Sequence, residues 1–186
     1  MERSDAELYR ACRRGEARAW EELVRRYTPA LYRMAARMLG PGSDAEDAVQ
    51  ETFLRAFRFL DGFDPTRPFL PWLSRIGYHA ALQKLGQQKS APQPAFDETA
   101  VERIAEPREA GPERQTQRHE TRQLLEELLR RLPAQDRALL SLRYRDGLSD
   151  AELAESFDMP AGTIKTRLFR ARSKLRRWLA GQDGGH

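Results

Sequence analysis

The chain has 186 residues and a formal net charge of +4, from 32 Lys and Arg against 28 Asp and Glu. Its 40% hydrophobic and 32% charged residues indicate a soluble, helix-rich protein of one ordinary domain or two small ones. No apolar run approaches the roughly 18 residues of a membrane span, and the first residues lack the apolar region of a signal peptide. A single cysteine, Cys12, and three histidines exclude a disulfide framework and a zinc cluster of known spacing, so we expect a reducing cytoplasm and no cofactor.

The first part of the chain is predicted to be entirely helical. Apolar residues recur at intervals of three and four, and no stretch shows the alternation of a strand. Capping-box motifs of the form S-x-x-E stand at Ser4, Ser43 and Ser149, where the Ser and Glu side chains would satisfy free backbone N–H groups. The predicted helices span about 4–15, 16–39, 44–59 and 71–86, with a Gly- and Pro-containing loop at 61–68.

Residues 87–113 differ in composition from their flanks. This segment holds four of the eleven prolines and a net charge of −3, between a first part of +2 and a last part of +5. We therefore expect domains at 1–86 and 114–186, well separated by an acidic linker over 87–113. A long surface loop within one domain is the alternative.

The last part of the chain predicts a helix-turn-helix. Two helices, over about 112–132 and 133–145, precede the stretch GLSDAELAESFDMPAGTIKTRLFRARSKLRRWL. Ser149 would cap a short helix, residues 157–160 would form the turn, and a second helix would run over 161–179. That second helix has a single apolar stripe and seven basic residues without an acidic one between Pro160 and Trp178. Such a helix suits a groove lined with phosphates, although a solvated basic helix remains the alternative.

Three stretches of the sequence carry a family resemblance, namely DAEDAVQETFLRAFRFLDGF, PFLPWLSRIGYHAALQKL and GLSDAELAESFDMPAGTIKTRLFRARSKLR. They resemble the extracytoplasmic-function sigma factors, a group of the sigma-70 family. With its flanking helices the resemblance covers about residues 16–87 and 121–179. It implies an all-α fold of two small helical domains joined by a flexible linker, the second with a helix-turn-helix. It also implies a subunit that binds core RNA polymerase and directs initiation at promoters with −10 and −35 elements.

The resemblance assigns the helix that carries DAEDAVQETF to the binding of core polymerase. Its helical spacing can present polar groups along one exposed stripe, although ordinary helix surface is the alternative. The expected core-binding residues are Asp47, Gln50, Glu51 and Arg55.

The loop at 61–68 and the following helix resemble the part of the family that recognises and opens the −10 element. Such a site needs aromatic walls and polar groups that read an unstacked base. The expected −10 residues are Phe63 as a wall, with Ser74, His79 and Gln83 on one helix face, although Phe63 could equally belong to the core. His79 departs from the family, which usually has Asn there, and Gln83 stands where Asp or Asn is frequent.

In the last domain the resemblance assigns −35 contacts to the second helix of the helix-turn-helix and to the helix that precedes this motif. An exposed aromatic on such a helix could touch a thymine methyl group or a sugar. The expected residues are Arg143, Lys165, Thr166, Phe169, Arg170 and Arg172. The family further implies promoter DNA and an anti-sigma factor as partners, and an acidic linker that occupies a nucleic-acid channel of the polymerase. We expect no membrane insertion of the chain itself and a monomer outside the polymerase.

Other functional classes find less support in the sequence. No catalytic triad, P-loop, H-E-x-x-H motif or glycine-rich loop is present, so we expect no enzyme. A stand-alone helix-turn-helix regulator is the main alternative, but such proteins usually dimerise on symmetric sites and the sequence shows no evident dimer helix. A third possibility is an adaptor whose basic helix never meets DNA.

Overall fold

The computed structural model describes residues 3–88 and 123–182, and all regular structure in these two ranges is helical. A short 3-10 turn at Leu60–Gly62 lies between the third and fourth helices. In chain order the helices are α1 (Asp5–Arg13), α2 (Ala17–Leu39), α3 (Ser43–Arg58), α4 (Phe69–Gln88), α5 (123–130), α6 (Ala134–Tyr144), α7 (Asp150–Ser156) and α8 (Ala161–Gln182). The predicted all-α fold is confirmed. The expected linker over 87–113 and the start of the helix predicted at 112 lie almost wholly outside the described residues.

Two of the three predicted capping boxes form. At the start of α1 the Ser4 hydroxyl accepts from the Glu7 amide at 3.3 Å, and the Glu7 carboxylate accepts from the Ser4 amide at 2.7 Å. Ser149 and Glu152 repeat both bonds at the start of α7. Each box satisfies backbone donors that the first helical turn leaves free, so local sequence sets where these helices begin.

The third predicted capping box, at Ser43, is wrong. Helix α3 begins at Ser43 itself, and the capping position is taken by Gly42, which makes no side-chain cap bond. Gly42 has φ 122° and ψ −160°, a conformation that a residue with a side chain rarely adopts. The glycine therefore starts the helix one residue early and places Ser43 inside the first turn.

Helix α2 is the centre of the fold. It contacts four other helices, α1, α3, α4 and α6. Its buried residues recur with helical period, among them Leu23, Leu31, Met34 and Met38. A helix with apolar residues on more than one face must be covered by more than one partner, which explains its central position.

The two helical units lie against each other, so the expected wide separation is wrong. Helix α6 covers α2, and α7 covers the first half of α4, so one continuous hydrophobic core includes residues of both units. Units of this size bury only part of their apolar surface alone, and mutual contact buries more.

Two ion pairs join α2 to the second unit. Arg33 binds Asp146, and the Arg37 guanidinium binds both carboxylate oxygens of Glu126, one of them at 2.7 Å. The Asp146 side chain is only 4% exposed. Its burial raises the pKa of the carboxyl above the usual range of an aspartate, and the hydrogen bond from Arg33 opposes that rise.

Candidate nucleic-acid and polymerase interfaces

The helix-turn-helix forms as the sequence predicts. Helix α7 ends at Ser156, and α8 begins at Ala161 after a turn in which Asp158 has a positive φ of 54°. On α8 the first three residues of the predicted apolar stripe, Ile164, Leu168 and Ala171, are buried. Toward the end of α8 the stripe becomes exposed, so the last turns of the helix extend beyond the core.

The exposed side of α8 combines cations with one aromatic ring. Lys165, Phe169 and Arg172 lie within about 60° of arc at about 100° per residue, about a quarter turn around the helix from the buried stripe. Phe169 is 63% exposed, as expected of an aromatic side chain that contacts a binding partner. Thr166 and Arg170 are exposed on the adjoining strip. Five of the six predicted −35 residues therefore share one continuous surface, which we call the α8 face.

The sixth predicted −35 residue, Arg143, lies apart from the α8 face and is half-buried on α6. Its guanidinium donates to the Leu148 carbonyl at 2.7 Å and lies 3.7 Å from a carboxylate oxygen of Asp150. In this position Arg143 holds the loop that leads into α7. Its role at DNA remains a prediction.

Arg167 also differs from the other cations of α8. It points inward, where Nε and Nη2 each lie 2.7 Å from Asp136 Oδ1 and Nη1 donates to Gln135 Oε1 at 3.0 Å. Arg167 thus ties α8 to the first turn of α6. Among the basic residues of α8, Arg167 therefore stabilises the fold and is not available to bind a partner.

An apolar groove runs between α2 and α3 on the first unit. It encloses about 590 Å³ and is lined mainly by aromatic and aliphatic side chains. Leu54 and Phe57 stand 49% and 64% exposed at its edge. We call this surface the α2–α3 groove; its lining residues are Trp20, Val24, Thr28, Tyr32, Glu46, Val49, Gln50, Phe53, Leu54 and Phe57.

The structure divides the four predicted core-binding residues between two surfaces. Gln50 lines the α2–α3 groove. Asp47, Glu51 and Arg55 instead form a polar seam with α4, in which Asp47 binds Lys84 at 3.0 Å and Arg55 binds Glu51 at 2.6 Å. The expected single stripe is therefore wrong, because Gln50 lies three residues from Asp47 and turns away from it by about 60°.

Sequence reasoning missed the two exposed large hydrophobic side chains of the groove, Leu54 and Phe57. Both stand on α3 outside its buried stripe. A signal was present, since large apolar residues away from the core side of an amphipathic helix often mark an interaction site.

Phe63, the predicted aromatic wall, is buried in a cluster of rings. It stacks on Phe69 with centroids 4.1 Å apart and planes inclined by 5°, and it also contacts Trp72 at 5.1 Å. Only 4% of Phe63 is exposed. In this arrangement the ring supports the loop at 61–68 from below and offers no free face to a base.

The same loop is held by a local hydrogen-bonded turn. Asp64 accepts from the Thr66 hydroxyl at 2.7 Å and from its amide at 2.9 Å, and these bonds lower the pKa of the Asp64 carboxyl. Arg67 follows in the exposed part of the loop. The loop therefore presents a fixed charge pattern above the aromatic cluster.

The three predicted readers on α4 do not share a face. His79 and Gln83 are exposed and four residues apart, so they lie on one side of the helix. Ser74 is fully buried, and its hydroxyl has no hydrogen-bond partner among the described residues. The reason is geometric, because the five-residue step from Ser74 to His79 turns the helix by about 140° beyond a full turn.

The comparisons with known families follow the same division into two units. Residues 23–91 match sigma-70 region 2 and residues 122–175 match sigma-70 region 4. The fold and its helix-turn-helix thus define a sigma-70-type transcription initiation factor.

Relatives over nearly the whole chain narrow this class. The chain is 35% identical over 180 residues to the ECF RNA polymerase sigma-E factor of Escherichia coli (strain K12), covering 92% of this chain and 92% of that protein. It is 30% identical over 172 residues to the ECF RNA polymerase sigma factor SigW of Bacillus subtilis (strain 168), covering 90% of this chain and 92% of that protein. The chain belongs to the extracytoplasmic-function sigma factors, which direct promoter-specific transcription initiation.

Solved structures agree with this family. CnrH, in complex with the cytosolic domain of CnrY, is 28% identical with a TM-score of 0.65 over 96% of this chain and 99% of that one. The sigma factor RpoE of Bartonella quintana, in complex with the anti-sigma factor NepR, shares the fold at 23% identity, with a TM-score of 0.63 over 86% of this chain and 96% of that one. In the described parts of the protein no helix is both long and apolar enough to cross a membrane.

Proposed function

We propose that this sigma factor binds core RNA polymerase through the α2–α3 groove, with Gln50 as a polar contact among apolar side chains. The groove is the observation that carries the proposal. A regulator that binds its operator alone has no need for an open apolar surface of about 590 Å³ on its other unit. The seam of Asp47, Glu51 and Arg55 lies beside it and is proposed to fix the orientation of the docked polymerase.

Promoter contact is proposed to divide between the two units. The α8 face inserts into the major groove at the −35 element, where its cations meet phosphates and base edges and Phe169 meets an apolar base or sugar edge. His79 and Gln83 of α4, with Arg67 of the loop, face the −10 strand. Phe63 is proposed to keep the loop in shape unless the loop opens, and Ser74 to support α4 from inside.

The partners and setting follow from this assignment. We propose that the factor acts in the cytoplasm with core polymerase, catalyses no reaction of its own and binds promoter DNA as a monomer within the polymerase. The neighbours bound to CnrY and NepR support an anti-sigma factor as a further partner. Such a factor would compete for the α2–α3 groove.

The test is run-off transcription over a promoter library with purified core polymerase and the full-length protein. Specific transcripts are expected that vanish when the protein is left out. Leu54→Glu should abolish both core binding and transcripts, whereas Leu125→Glu should not. The two leucines are a matched pair, since both are exposed on helices (49% and 40%) but Leu125 lies outside the groove.

Other outcomes separate the competing functions. Tight binding of duplex operator DNA without any binding to core polymerase would favour a stand-alone regulator. If neutralisation of Arg170 and Arg172 leaves the run-off transcripts unchanged, an adaptor that does not contact DNA would be favoured. The −10 motifs selected with His79→Ala and Gln83→Ala would show which bases these side chains read.

A further inference from the structure

The first helix of the helix-turn-helix lies against the part of the chain proposed to meet the −10 strand. Helix α7 and the turn after it contact α4 and the loop before it. Four contacts join the two units here: Arg67 with both oxygens of Glu155 (Nη1 to Oε1 3.0 Å), the Ser156 hydroxyl with the Pro71 carbonyl (3.1 Å), the Tyr78 and Phe157 rings (centroids 4.5 Å apart) and Arg75 with Asp158 (3.3 Å).

These contacts close a small cleft over the loop. The cleft encloses about 140 Å³, and the loop and α4 supply one side of it, including Arg67 and Trp72. Two carboxylate residues of α7, Glu152 and Glu155, supply the other side. Glu152 is occupied by its capping box, which leaves Glu155 as the acidic group directed at the loop.

We propose that α7 imitates DNA in the free factor, with Glu155 occupying at Arg67 the place of a promoter phosphate. This inference rests on the proposed function, which assigns the loop and α4 to the −10 strand. A guanidinium binds a carboxylate and a phosphate with the same two-pronged geometry. Arg67 remains about half exposed, so a phosphate can reach it as Glu155 leaves.

The docked arrangement is incompatible with contact to both promoter elements. Positions −35 and −10 are about 85 Å apart along straight duplex DNA, at about 3.4 Å per base pair. A second unit in direct contact with α4 cannot place α8 at that distance, so α7 must leave before both elements are bound. The α2–α3 groove and the α8 face stay exposed in the docked arrangement. Core polymerase can therefore bind first, and release of α7 follows.

The first experiment locks the two units together with a reversible cross-link. On a Cys12→Ser background, Arg75→Cys and Asp158→Cys place two thiols at exposed positions that face each other across the contact. A bismaleimide with an internal disulfide joins them, and a reductant releases them. Glu127→Cys with Arg131→Cys is the control pair, since these residues face each other within α5 and its continuation.

The locked factor is expected to bind core polymerase as well as the unlinked one but to give at least about tenfold less promoter-specific run-off, restored by reductant. The control pair should show no change on linking. Equal run-off before and after reduction would overturn the inference while leaving the proposed function intact. Absence of specific run-off from the unmodified protein would overturn both.

The second experiment tests the charge of Glu155 directly. The probe is a short single-stranded oligodeoxynucleotide that carries the −10 motif selected in the run-off assay, with a scrambled one beside it. Glu155→Gln should tighten binding of the motif about threefold, the scale of one exposed ion pair, whereas Glu127→Gln should not. Both changes remove one negative charge from the same unit. An equal effect of the two variants would contradict the phosphate-like role of Glu155.

Discussion

Arg167 and Arg170 stand three residues apart on α8 but are expected to fail in different ways when replaced by alanine. Arg167 is engaged with α6, with both of its contacts to Asp136 at 2.7 Å and a third bond to Gln135 at 3.0 Å. Arg170 is exposed on the α8 face. Both substitutions replace arginine by alanine and so remove the same charge and the same volume, which makes each the control for the other.

The structure sets the size of both effects. Arg167→Ala deletes charge-assisted hydrogen bonds and leaves the Asp136 side chain, 16% exposed, without its cation. Bonds of this kind contribute about 1.5–3 kcal/mol together with the desolvation that their loss leaves uncompensated. The position of Asp136 in the first turn of α6 offsets part of the loss through the helix dipole. We expect the free energy of unfolding to fall by about 2 kcal/mol.

For Arg170→Ala we expect a change in stability below about 0.5 kcal/mol, as for an exposed side chain without a structural contact. Its effect should appear in DNA binding. Loss of a base contact weakens binding by about 1–3 kcal/mol, and loss of a phosphate contact lowers the slope of log affinity against log salt by about 0.9.

The assay pairs urea unfolding of the full chain with filter binding of the reconstituted polymerase to promoter DNA at several salt concentrations. Arg167→Ala should shift the urea midpoint by about 1 M and leave the salt slope unchanged at a temperature where it is folded. Arg170→Ala should show the reverse pattern. If Arg167→Ala unfolds like the wild type and loses the salt-dependent contact instead, the assignment of the α8 face is wrong.

Three further predictions concern stability, each measured as the free energy of unfolding in urea. Ser149→Ala should cost about 1 kcal/mol through the lost capping box, whereas Ser43→Ala, inside a helix capped by glycine, should cost no more than a few tenths. Gly77→Ala should destabilise by about 1 kcal/mol, because a Cβ there meets a buried methionine methyl at 2.9 Å, while Gly86→Ala has open space and should stabilise by about 0.5–1 kcal/mol. Asp146→Asn should be at least as stable as the wild type at neutral pH, because the raised pKa shows that the folded state disfavours the charged carboxylate. That advantage should disappear as the pH falls through the pKa of Asp146 to the ordinary aspartate range. The sign would be contradicted if the stability of the variant relative to the wild type were lower at neutral pH than in acid.

Local features of the sequence were sufficient to predict the helices and the class of protein. The capping boxes at Ser4 and Ser149 and the apolar stripe of α8 depend on residues within one or two turns of each other, so their pattern is legible in the chain. The same holds for the α8 face, where burial of Ile164 and Leu168 forces Lys165 and Phe169 outward.

Geometry beyond one helix turn accounts for the predictions that failed. Ser74 and His79 were placed on one face although a five-residue step separates them by more than a third of a turn. At Ser43 the backbone freedom of the preceding glycine outweighed a correct side-chain motif. Gln50 lies on a different surface from the other predicted core-binding residues, because α4 covers one side of α3 and the groove opens on the other.

The sequence by itself determined the all-helical fold, the helix-turn-helix and the division into two units, because these follow from short-range periodicity and capping. The tertiary structure alone decided what each face touches. An apolar stripe predicts burial without naming its partner, and identical residues such as Arg167 and Arg170 receive opposite roles from the helix packed beside them. The pairing of Arg67 with Glu155, 88 residues apart, joins side chains that either unit alone would leave at its surface. Such a contact arises only when two surfaces meet, and no local pattern in the chain encodes it.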